Sequence, residues 1–279
     1  MKGLAWQRTI CQPVVVEGKG LHGGKESRVV LYPAEVNQGI IFRLNRRGRE
    51  TFIPARVSHA MLGCRSSVLQ NDGVTLSTVE HFLGACWGFG VDNLEVVVEG
   101  EELPGGDGSA LHWWDAFSRA GVQEQDVPRR VFILQRPFHV ENGVGHLFAF
   151  PAKNLALTYV LDCTEKGEFL QSFTFREEDS FEAVCSARTF AFAWERDDIE
   201  RQSLGMGVRE AAVLFEPSGV GNRSLRLPYE ACAHKILDLL GDLMLLGARI
   251  QGGFLGLRSG HALNQKMVRL LWEEIVNAY

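Results

Sequence analysis

Two stretches share one order of elements: EHFLGACWGFGVDNLEVVVEG at residues 80–100 and AHKILDLLGDLMLLGARIQGG at residues 233–253. Each begins with a segment of helical spacing that contains one histidine, continues into a strand-like segment and ends in glycine. The offset is 153 residues from His81 to His234. We infer a duplicated α+β unit, in which each half carries a β-sheet with helices on one face. Because identities between the halves are few, chance recurrence of common elements is the alternative.

The duplication predicts two similar domains, residues 1–126 and residues 127–279, packed as a β-α-α-β sandwich. A length of 279 residues suits about two average domains. The polar stretch 126–130 is a candidate hinge between them. A functional site is expected at the junction of the two halves.

Runs of β-branched and aromatic residues between turn residues predict strands in both halves. The predicted strands are residues 13–17, 27–32, 39–44, 68–69, 91–99, 131–134, 146–150, 155–161, 169–175 and 250–257. The predicted helices are one that starts at residue 77 and those at 109–120, 228–246 and 261–278, with short helical turns near 177–184. Ser77 is the predicted N-cap of the first of these helices, with Glu80 as its partner in a capping box.

Charge and cysteine content exclude several classes of protein. With a net charge of −5 and a pI near 5.9, the chain has no excess of basic residues that would attract nucleic acid or anionic lipid. Charge interrupts the N-terminal residues before a signal-type apolar core forms, and no 18-residue apolar run follows. The six cysteines form no C-x-x-C pair and no regular framework, which in a chain of this size is typical of reduced thiols. A cytoplasmic protein with no nucleic-acid partner and no integral membrane segment is therefore expected.

Polar residues interrupt the apolar helix predicted at 228–246. His234, Asp238 and Asp242 advance by about 40° per step along one stripe, and Lys235 lies near it. Charged groups beside apolar surface are costly unless they are paired or bind a metal. A histidine and an aspartate one turn apart suit Zn²⁺. From spacing alone, a solvated or ion-paired helix face explains the pattern equally well.

A zinc site needs a further ligand, for which His81 is the candidate because it corresponds to His234. Its neighbour Glu80 would then lie beside the metal as a general base. Taken alone, His81 is not distinguished from an ordinary core histidine.

Two further residues are candidates for proton transfer and hydrogen bonding. His261 opens the last predicted helix and could donate a proton if Asp242 orients it, although a helix-terminal histidine without a role has the same pattern. Thr189, in the stretch SARTF at 186–190, could donate a hydrogen bond to a developing oxyanion. The glycine-rich stretch GKGLHGG at 18–24 fits no phosphate-binding spacing, so no nucleotide phosphate cradle is predicted there.

With these motifs assembled, the sequence resembles the UDP-3-O-acyl-N-acetylglucosamine deacetylase family, zinc amidases that catalyse the committed step of lipid A biosynthesis. The matching stretches span most of the chain. They are GKGLHGG (18–24), STVEH (77–81), DN (92–93), LP (103–104), DGSA (107–110), SARTF (186–190), HKILDLLGD (234–242) and SGHALN (259–264). Several ordered motifs make the resemblance specific.

The resemblance implies two α/β-sandwich domains of like topology with their helices facing each other. It implies Zn²⁺ held by His81, His234 and Asp238, with Glu80 as the general base toward the attacking water. The substrate implied is UDP-3-O-acyl-N-acetylglucosamine, from which acetate is released.

The resemblance also implies roles around the metal. Thr189 would stabilise the oxyanion, His261 would protonate the leaving amine and Asp242 would orient His261. Lys235 would assist by its charge and by contact with the substrate. The residues expected to bind the substrate are Phe190, Lys235, Thr189 and Leu21.

The segment 193–213 departs from the family pattern. It is shorter than expected and carries Arg209-Glu210 where small polar residues are expected, in a region that helps to form an apolar passage for the acyl chain. Two alternatives therefore stay open: a deacetylase of the same mechanism that acts on a related acylated UDP-amidosugar, and a non-catalytic paralogue that binds a sugar nucleotide. A monomer with a small-molecule substrate is expected.

Overall fold

The structure, a computed structural model, describes residues 6–46, 48–163, 169–216, 219–221 and 224–277. The first five residues, part of the N-terminal stretch in which no signal segment is predicted, lie outside the described residues. So does Ala278, the predicted end of the last helix. Within the described ranges, no helix is both long and apolar enough to cross a membrane.

The elements alternate between short strands and a few helices. The strands up to residue 128 are β1 (Trp6–Ile10), β2 (Val14–Lys19), β3 (Glu26–Pro33), β4 (Ile40–Arg46), β5 (Arg49–Pro54), β6 (Ala60–Leu62), β7 (Ser67–Asn71), β8 (Val74–Ser77), β9 (Leu94–Glu99) and β10 (Val122–Pro128). The later strands are β11 (Val131–Ile133), β12 (Phe138–Glu141), β13 (His146–Phe150), β14 (Ala156–Asp162), β15 (Leu170–Arg176), β16 (Phe190–Phe192), β17 (Val213–Glu216), β18 (Gly219–Val220), β19 (Arg249–Gln251) and β20 (Gly253–Leu257). The helices are α1 (Glu80–Phe89), α2 (Leu111–Ala120), α3 (Glu182–Cys185), α4 (Arg196–Arg201), α5 (Glu230–Leu243) and α6 (His261–Asn277).

Two five-stranded sheets have the same topology. Their strand orders are β2-β3-β9-β4-β5 and β12-β13-β20-β14-β15. In each sheet the central strand, β9 or β20, is antiparallel to the strand on one side and parallel to the strand on the other. The predicted duplication is therefore confirmed, since order and direction agree strand by strand.

Helices α1 and α5 lie between the two sheets. Buried side chains alternate along the strands, as in β4, where Ile40, Phe42 and Leu44 are buried. Phe42 contacts Phe82 of α1 (ring centroids 5.6 Å apart), so this face of the first sheet is the one that α1 covers. On the other side, α5 packs on β14 and β15, and α1 packs on α5. The predicted α+β class and β-α-α-β layering are confirmed.

The candidate hinge is in part a strand. Residues 126–128 are the last residues of β10, which pairs with β1, and the next residue, Arg129, forms an ion pair with Asp92 (2.8 Å). The domain boundary between residues 126 and 127 stays a prediction.

The predicted capping box at the start of α1 is wrong. No side chain caps this N-terminus, and Ser77 is the last residue of β8. Thr78 has a φ of 59° and donates its hydroxyl to Glu102 (2.7 Å). The Glu80 carboxylate instead accepts the backbone N–H of Ser67 (3.0 Å). Polar contacts with other segments therefore determine this turn, rather than the local pairing of Ser77 with Glu80.

Helices α1 and α5 approach closely at two glycines. A Cβ at Gly241 of α5 would collide with the carbonyl oxygen of Glu80, and a Cβ at Gly84 of α1 would lie 2.7 Å from the Leu237 side chain. Because these positions lack side chains, the two backbones come close together. His81 and His234 can then face each other across the crossing.

Replacing Gly241 with alanine is expected to lower the free energy of unfolding by about 1–3 kcal/mol, because the collision is with backbone that cannot rotate away. Chemical denaturation measures this change. Gly18→Ala in β2 is the matched control, since its Cβ would make only an ordinary contact with Pro104 (3.5 Å). Equal stability of the two variants would contradict the close crossing.

Candidate active site

One cavity of about 680 Å³ lies where α1, α5, the start of α6 and the loop before β16 meet. Every residue predicted for the site lines this cavity except Asp242, which contacts the cavity-lining His261. The predicted site residues that line it are Leu21, Glu80, His81, Thr189, Phe190, His234, Lys235, Asp238 and His261. The structure therefore brings residues from both halves of the chain to one place.

The three residues predicted to bind metal are buried together. His81, His234 and Asp238 are only 3%, 3% and 2% exposed. The Nε2 atoms of both histidines lie 3.5 Å from Oδ1 of Asp238, and one candidate ligand atom from each residue lies within 4.8 Å of the other two. The alternative of a solvated helix face is wrong, because this face of α5 is packed against α1, whereas its ion-paired form agrees with the contacts of His234 and Lys235 with Asp238.

Hydrogen bonding at His234 indicates that a cation fits between these atoms. Nδ1 of His234 lies 3.1 Å from the Ala187 carbonyl oxygen, which can only accept, so Nδ1 carries the hydrogen. Burial lowers the pKa of His234 to about 3, and the neutral ring then directs its Nε2 lone pair at Asp238. Oδ1 of Asp238 is buried and has no hydrogen-bond partner among the described residues. Nε2 of His234 and Oδ1 of Asp238 are thus two acceptors that face each other, and a metal ion between them would bind both lone pairs.

Lys235 contacts the other oxygen of the same carboxylate. Its Nζ lies 3.0 Å from Oδ2 of Asp238 and 5.6 Å from the centroid of the Phe190 ring. Burial alone would raise the pKa of Asp238, but the positive charge of Lys235 helps to hold it well below its usual range. Asp238 is therefore ionised at neutral pH, as a metal ligand must be.

His261 lies among three carboxylates at the N-terminus of α6. Its Nδ1 is 3.1 Å from Asp242, while its Nε2 is 3.7 Å from Glu80 and 3.6 Å from Asp238. Burial alone would lower the pKa of His261, but the carboxylates of Asp242, Asp238 and Glu80 outweigh it and raise the pKa to about 9. At neutral pH, His261 is a cation that can donate a proton from Nε2.

Glu80 is a buried carboxylate whose pKa is raised by that burial, which makes it a stronger base than a surface glutamate. Ser67 connects it to the proton donor. The backbone N–H of Ser67 donates to Glu80, and the Ser67 hydroxyl donates to Asp242. Asn264 donates a second hydrogen bond to Asp242 (2.9 Å). Ser67 thus holds both Glu80 and Asp242.

Ser67 was not predicted as a site residue, although the sequence carries a weak signal for it. In β7, Ser67 and Leu69 are two residues apart and therefore lie on the same face of the strand, which is buried. A polar residue at a buried position needs a partner, and here the partner is Asp242.

A buried ion pair positions the loop that carries Thr189. The guanidinium of Arg188 lies 2.8 Å from Glu230, the first residue of α5, and both side chains are at most 5% exposed. The backbone N–H of Thr189 donates to the Gly108 carbonyl (2.7 Å). Neither Arg188 nor Glu230 was predicted from the sequence, because nothing in their spacing relates the two.

The segment 193–213 closes one side of the cavity. It docks on the glycine-rich stretch 18–24, where the backbone N–H of Gly207 donates to Leu21 (3.0 Å) and that of Met206 donates to His22 (3.1 Å). Apolar side chains of this region line the cavity beside the polar groups: Ile199, Leu204, Val208, Ala212 and Val213. The cavity therefore has an apolar part that continues from the cluster of ionisable residues.

Comparison with known proteins gives consistent matches over most of the chain. The family model for LpxC, UDP-3-O-acyl N-acetylglycosamine deacetylase, matches residues 7–273. A Chlamydia trachomatis serovar D protein named UDP-3-O-acyl-N-acetylglucosamine deacetylase is 36% identical over 263 residues, 92% of each chain. Proteins of the same name from Myxococcus xanthus strain DK1622 and Helicobacter pylori strain J99 are each 33% identical. These two alignments cover 94% and 97% of this chain, and 85% and 92% of the relatives.

Proposed function

The chain belongs to the UDP-3-O-acyl N-acetylglycosamine deacetylase family, and from that premise we propose that it hydrolyses the N-acetyl group of UDP-3-O-acyl-N-acetylglucosamine with a bound metal ion. Acetate is released, in the committed step of lipid A biosynthesis. The observation that carries the proposal is the convergence of Glu80, His261 and the His81-His234-Asp238 cluster at one end of one cavity.

The metal proposed is Zn²⁺, held by His81, His234 and Asp238. Two imidazole nitrogens and one carboxylate oxygen are a ligand set that catalytic zinc uses. When bound, Zn²⁺ would supply Lewis-acid polarisation of the amide carbonyl and neutralise negative charge that develops on it. The unpartnered Oδ1 of Asp238 supports this assignment.

Glu80 is proposed to take the proton from the attacking water. Its carboxylate lies beside the metal ligand His81 in sequence and 3.7 Å from His261 in space. Because burial raises its pKa, it accepts a proton more readily than an exposed glutamate would. The hydrogen bond from Ser67 fixes its direction.

His261 is proposed to protonate the leaving amine. Asp242 accepts from Nδ1 and so directs Nε2 toward the cavity, where Glu80 and Asp238 lie. Amides have poor leaving groups, so protonation of the nitrogen as the bond breaks lowers the barrier. Asp242 acts through His261 and is a positioning residue.

Thr189 and Lys235 are proposed to stabilise the oxyanion by a hydrogen bond and by charge. Both line the cavity, and Lys235 lies over the Phe190 ring. Phe190 and Leu21 are proposed to contact the substrate. The apolar part of the cavity would receive the acyl chain.

The pH dependence of kcat/KM is expected to be bell-shaped. Activity rises as Glu80 loses its proton, at a pH above the usual pKa of a glutamate, and falls near pH 9 as His261 loses its proton. In Asp242→Asn the alkaline limb is expected to move to lower pH, because a charge that raises the pKa of His261 is removed. Initial rates from pH 5 to 10 test this. A flat profile, or an alkaline limb that stays in place in Asp242→Asn, would contradict the assignment.

A substrate panel tests the proposed activity. UDP-3-O-acyl-N-acetylglucosamines of several acyl lengths and related acylated UDP-amidosugars are incubated with the Zn²⁺-loaded protein, and acetate and free amine are measured. Equimolar acetate and amine from the named substrate are expected. Preference for another amidosugar would favour the related deacetylase suggested by the segment 193–213, and no turnover of any member would refute the proposal.

We also propose that the enzyme works as a cytoplasmic monomer. All six cysteines lie in the described part of the chain and none forms a disulfide, in keeping with a reducing compartment. Both halves of this one chain contribute proposed metal ligands, so the proposed site needs no residue from a second copy.

A further inference from the structure

A second cluster of metal-binding side chains lies on the hairpin formed by β12 and β13. His139 and Glu141 alternate with the buried Phe138 and Val140, so they project from the outer face of β12. In the register of the hairpin, Glu141 pairs with His146 of β13. His139, Glu141 and His146 therefore share one face of the sheet, and none of them lines the catalytic cavity.

Two of the three distances within this cluster match those of a metal coordination shell. Nε2 of His139 lies 3.2 Å from Nδ1 of His146, which lies 3.4 Å from Oε2 of Glu141. One donor atom from each residue lies within 4.8 Å of the other two. In a tetrahedral site with bonds of about 2.0–2.1 Å, donor atoms are about 3.3 Å apart. Two edges of the triangle already have this length.

The hairpin restrains part of this cluster before any ion binds. The His139 ring stacks on Phe148, with centroids 4.3 Å apart and planes 9° from parallel. The turn is short, and the Asn142 side chain accepts the backbone N–H of Gly145 (2.9 Å). The stacked His139 ring and the closed turn have less freedom to lose on binding, which favours affinity.

We propose that His139, Glu141 and His146 bind a divalent transition-metal cation of the Zn²⁺ class, separate from the proposed catalytic metal. Two imidazoles and one carboxylate suit zinc and its neighbours, whereas Ca²⁺ and Mg²⁺ prefer oxygen ligands alone. Water can fill the fourth position because the hairpin face is open to solvent. Asn142, the residue after Glu141, lines the catalytic cavity, so the ion would brace a hairpin that borders the substrate.

Zinc titration of a tag-free protein that already carries one equivalent of Zn²⁺ tests this site. Calorimetry is expected to show one further equivalent bound to the wild type. In the double variant His139→Gln, His146→Gln, that equivalent is expected to bind at least about tenfold more weakly or not at all. The first equivalent should remain, which also shows that the variant is folded.

His59→Gln is the matched control, because it removes an imidazole from outside the hairpin, one whose Nδ1 contacts the Gln70 carbonyl. It is expected to bind the second equivalent as the wild type does. A wild type that binds no second equivalent would overturn the proposal. So would a double variant that binds it unchanged, because the ion would then lie elsewhere, for example beside Glu80 and His261. Neither outcome would affect the proposed deacetylase activity.

Discussion

Replacing Glu80 with glutamine is expected to lower kcat for acetate release by about 10²–10⁴-fold while leaving the metal bound. The amide oxygen of glutamine can still accept the N–H of Ser67, so the side chain can keep its position. It cannot take a proton from water. The loss therefore isolates the chemical role of the carboxylate from its structural one.

Steady-state rates and metal content of the same preparation measure this effect. The control is Glu274→Gln, the same change at a surface glutamate of α6 that pairs with Arg136, for which kcat should not change. A Glu80→Gln protein that keeps its metal and retains kcat within tenfold of wild type would show that another group acts as the base.

Replacing Asp238 with asparagine is expected to weaken zinc binding by at least about 100-fold. Changes to residues that only support metal ligands cost 10–100-fold, so loss of a ligand charge should cost more. Asp238 is 2% exposed and its Oδ1 faces both histidines, so asparagine would leave the ion with two neutral imidazoles and no charged ligand from this cluster. Competition with a chelator of known affinity measures the change.

Asp242→Asn is the matched control, because it makes the same substitution one turn later on α5. Asp242 contacts Ser67, His261 and Asn264 rather than the histidines of the cluster. The Asp242→Asn variant is expected to keep its zinc affinity and to lose activity, because His261 loses the carboxylate that orients it. If both variants bound zinc equally well, the assignment of Asp238 as a ligand would be wrong.

The duplicated sheets could be predicted because their signal repeats. Residues 80–100 and 233–253 show the same change from helical to strand spacing, and β9 and β20 then occupy the same place in equivalent sheets. The polar stripe on α5 could also be predicted from the sequence, because a buried helix tolerates His234 and Asp238 only if they have partners. Periodicity along the chain was sufficient for both.

Contacts between distant segments could not be predicted in this way. The capping box failed because Thr78 and Glu80 bond to Glu102 and Ser67, which local propensity does not weigh. The close helix crossing depends on Gly241 meeting a carbonyl of α1, and no spacing within α5 indicates this. The site is thus assembled by long-range polar and backbone contacts that the motifs alone do not contain.

The central claim is that the cluster of His81, His234 and Asp238 binds the metal ion on which deacetylation depends. Stepwise addition of Zn²⁺ to metal-free protein, with acetate release from UDP-3-O-acyl-N-acetylglucosamine followed at each step, tests it most directly. Activity is expected to be absent at the start and to rise in proportion to zinc until one equivalent is bound, with no rise in Asp238→Asn at the same concentrations. Full activity without metal, or the same zinc-dependent rise in Asp238→Asn, would contradict it.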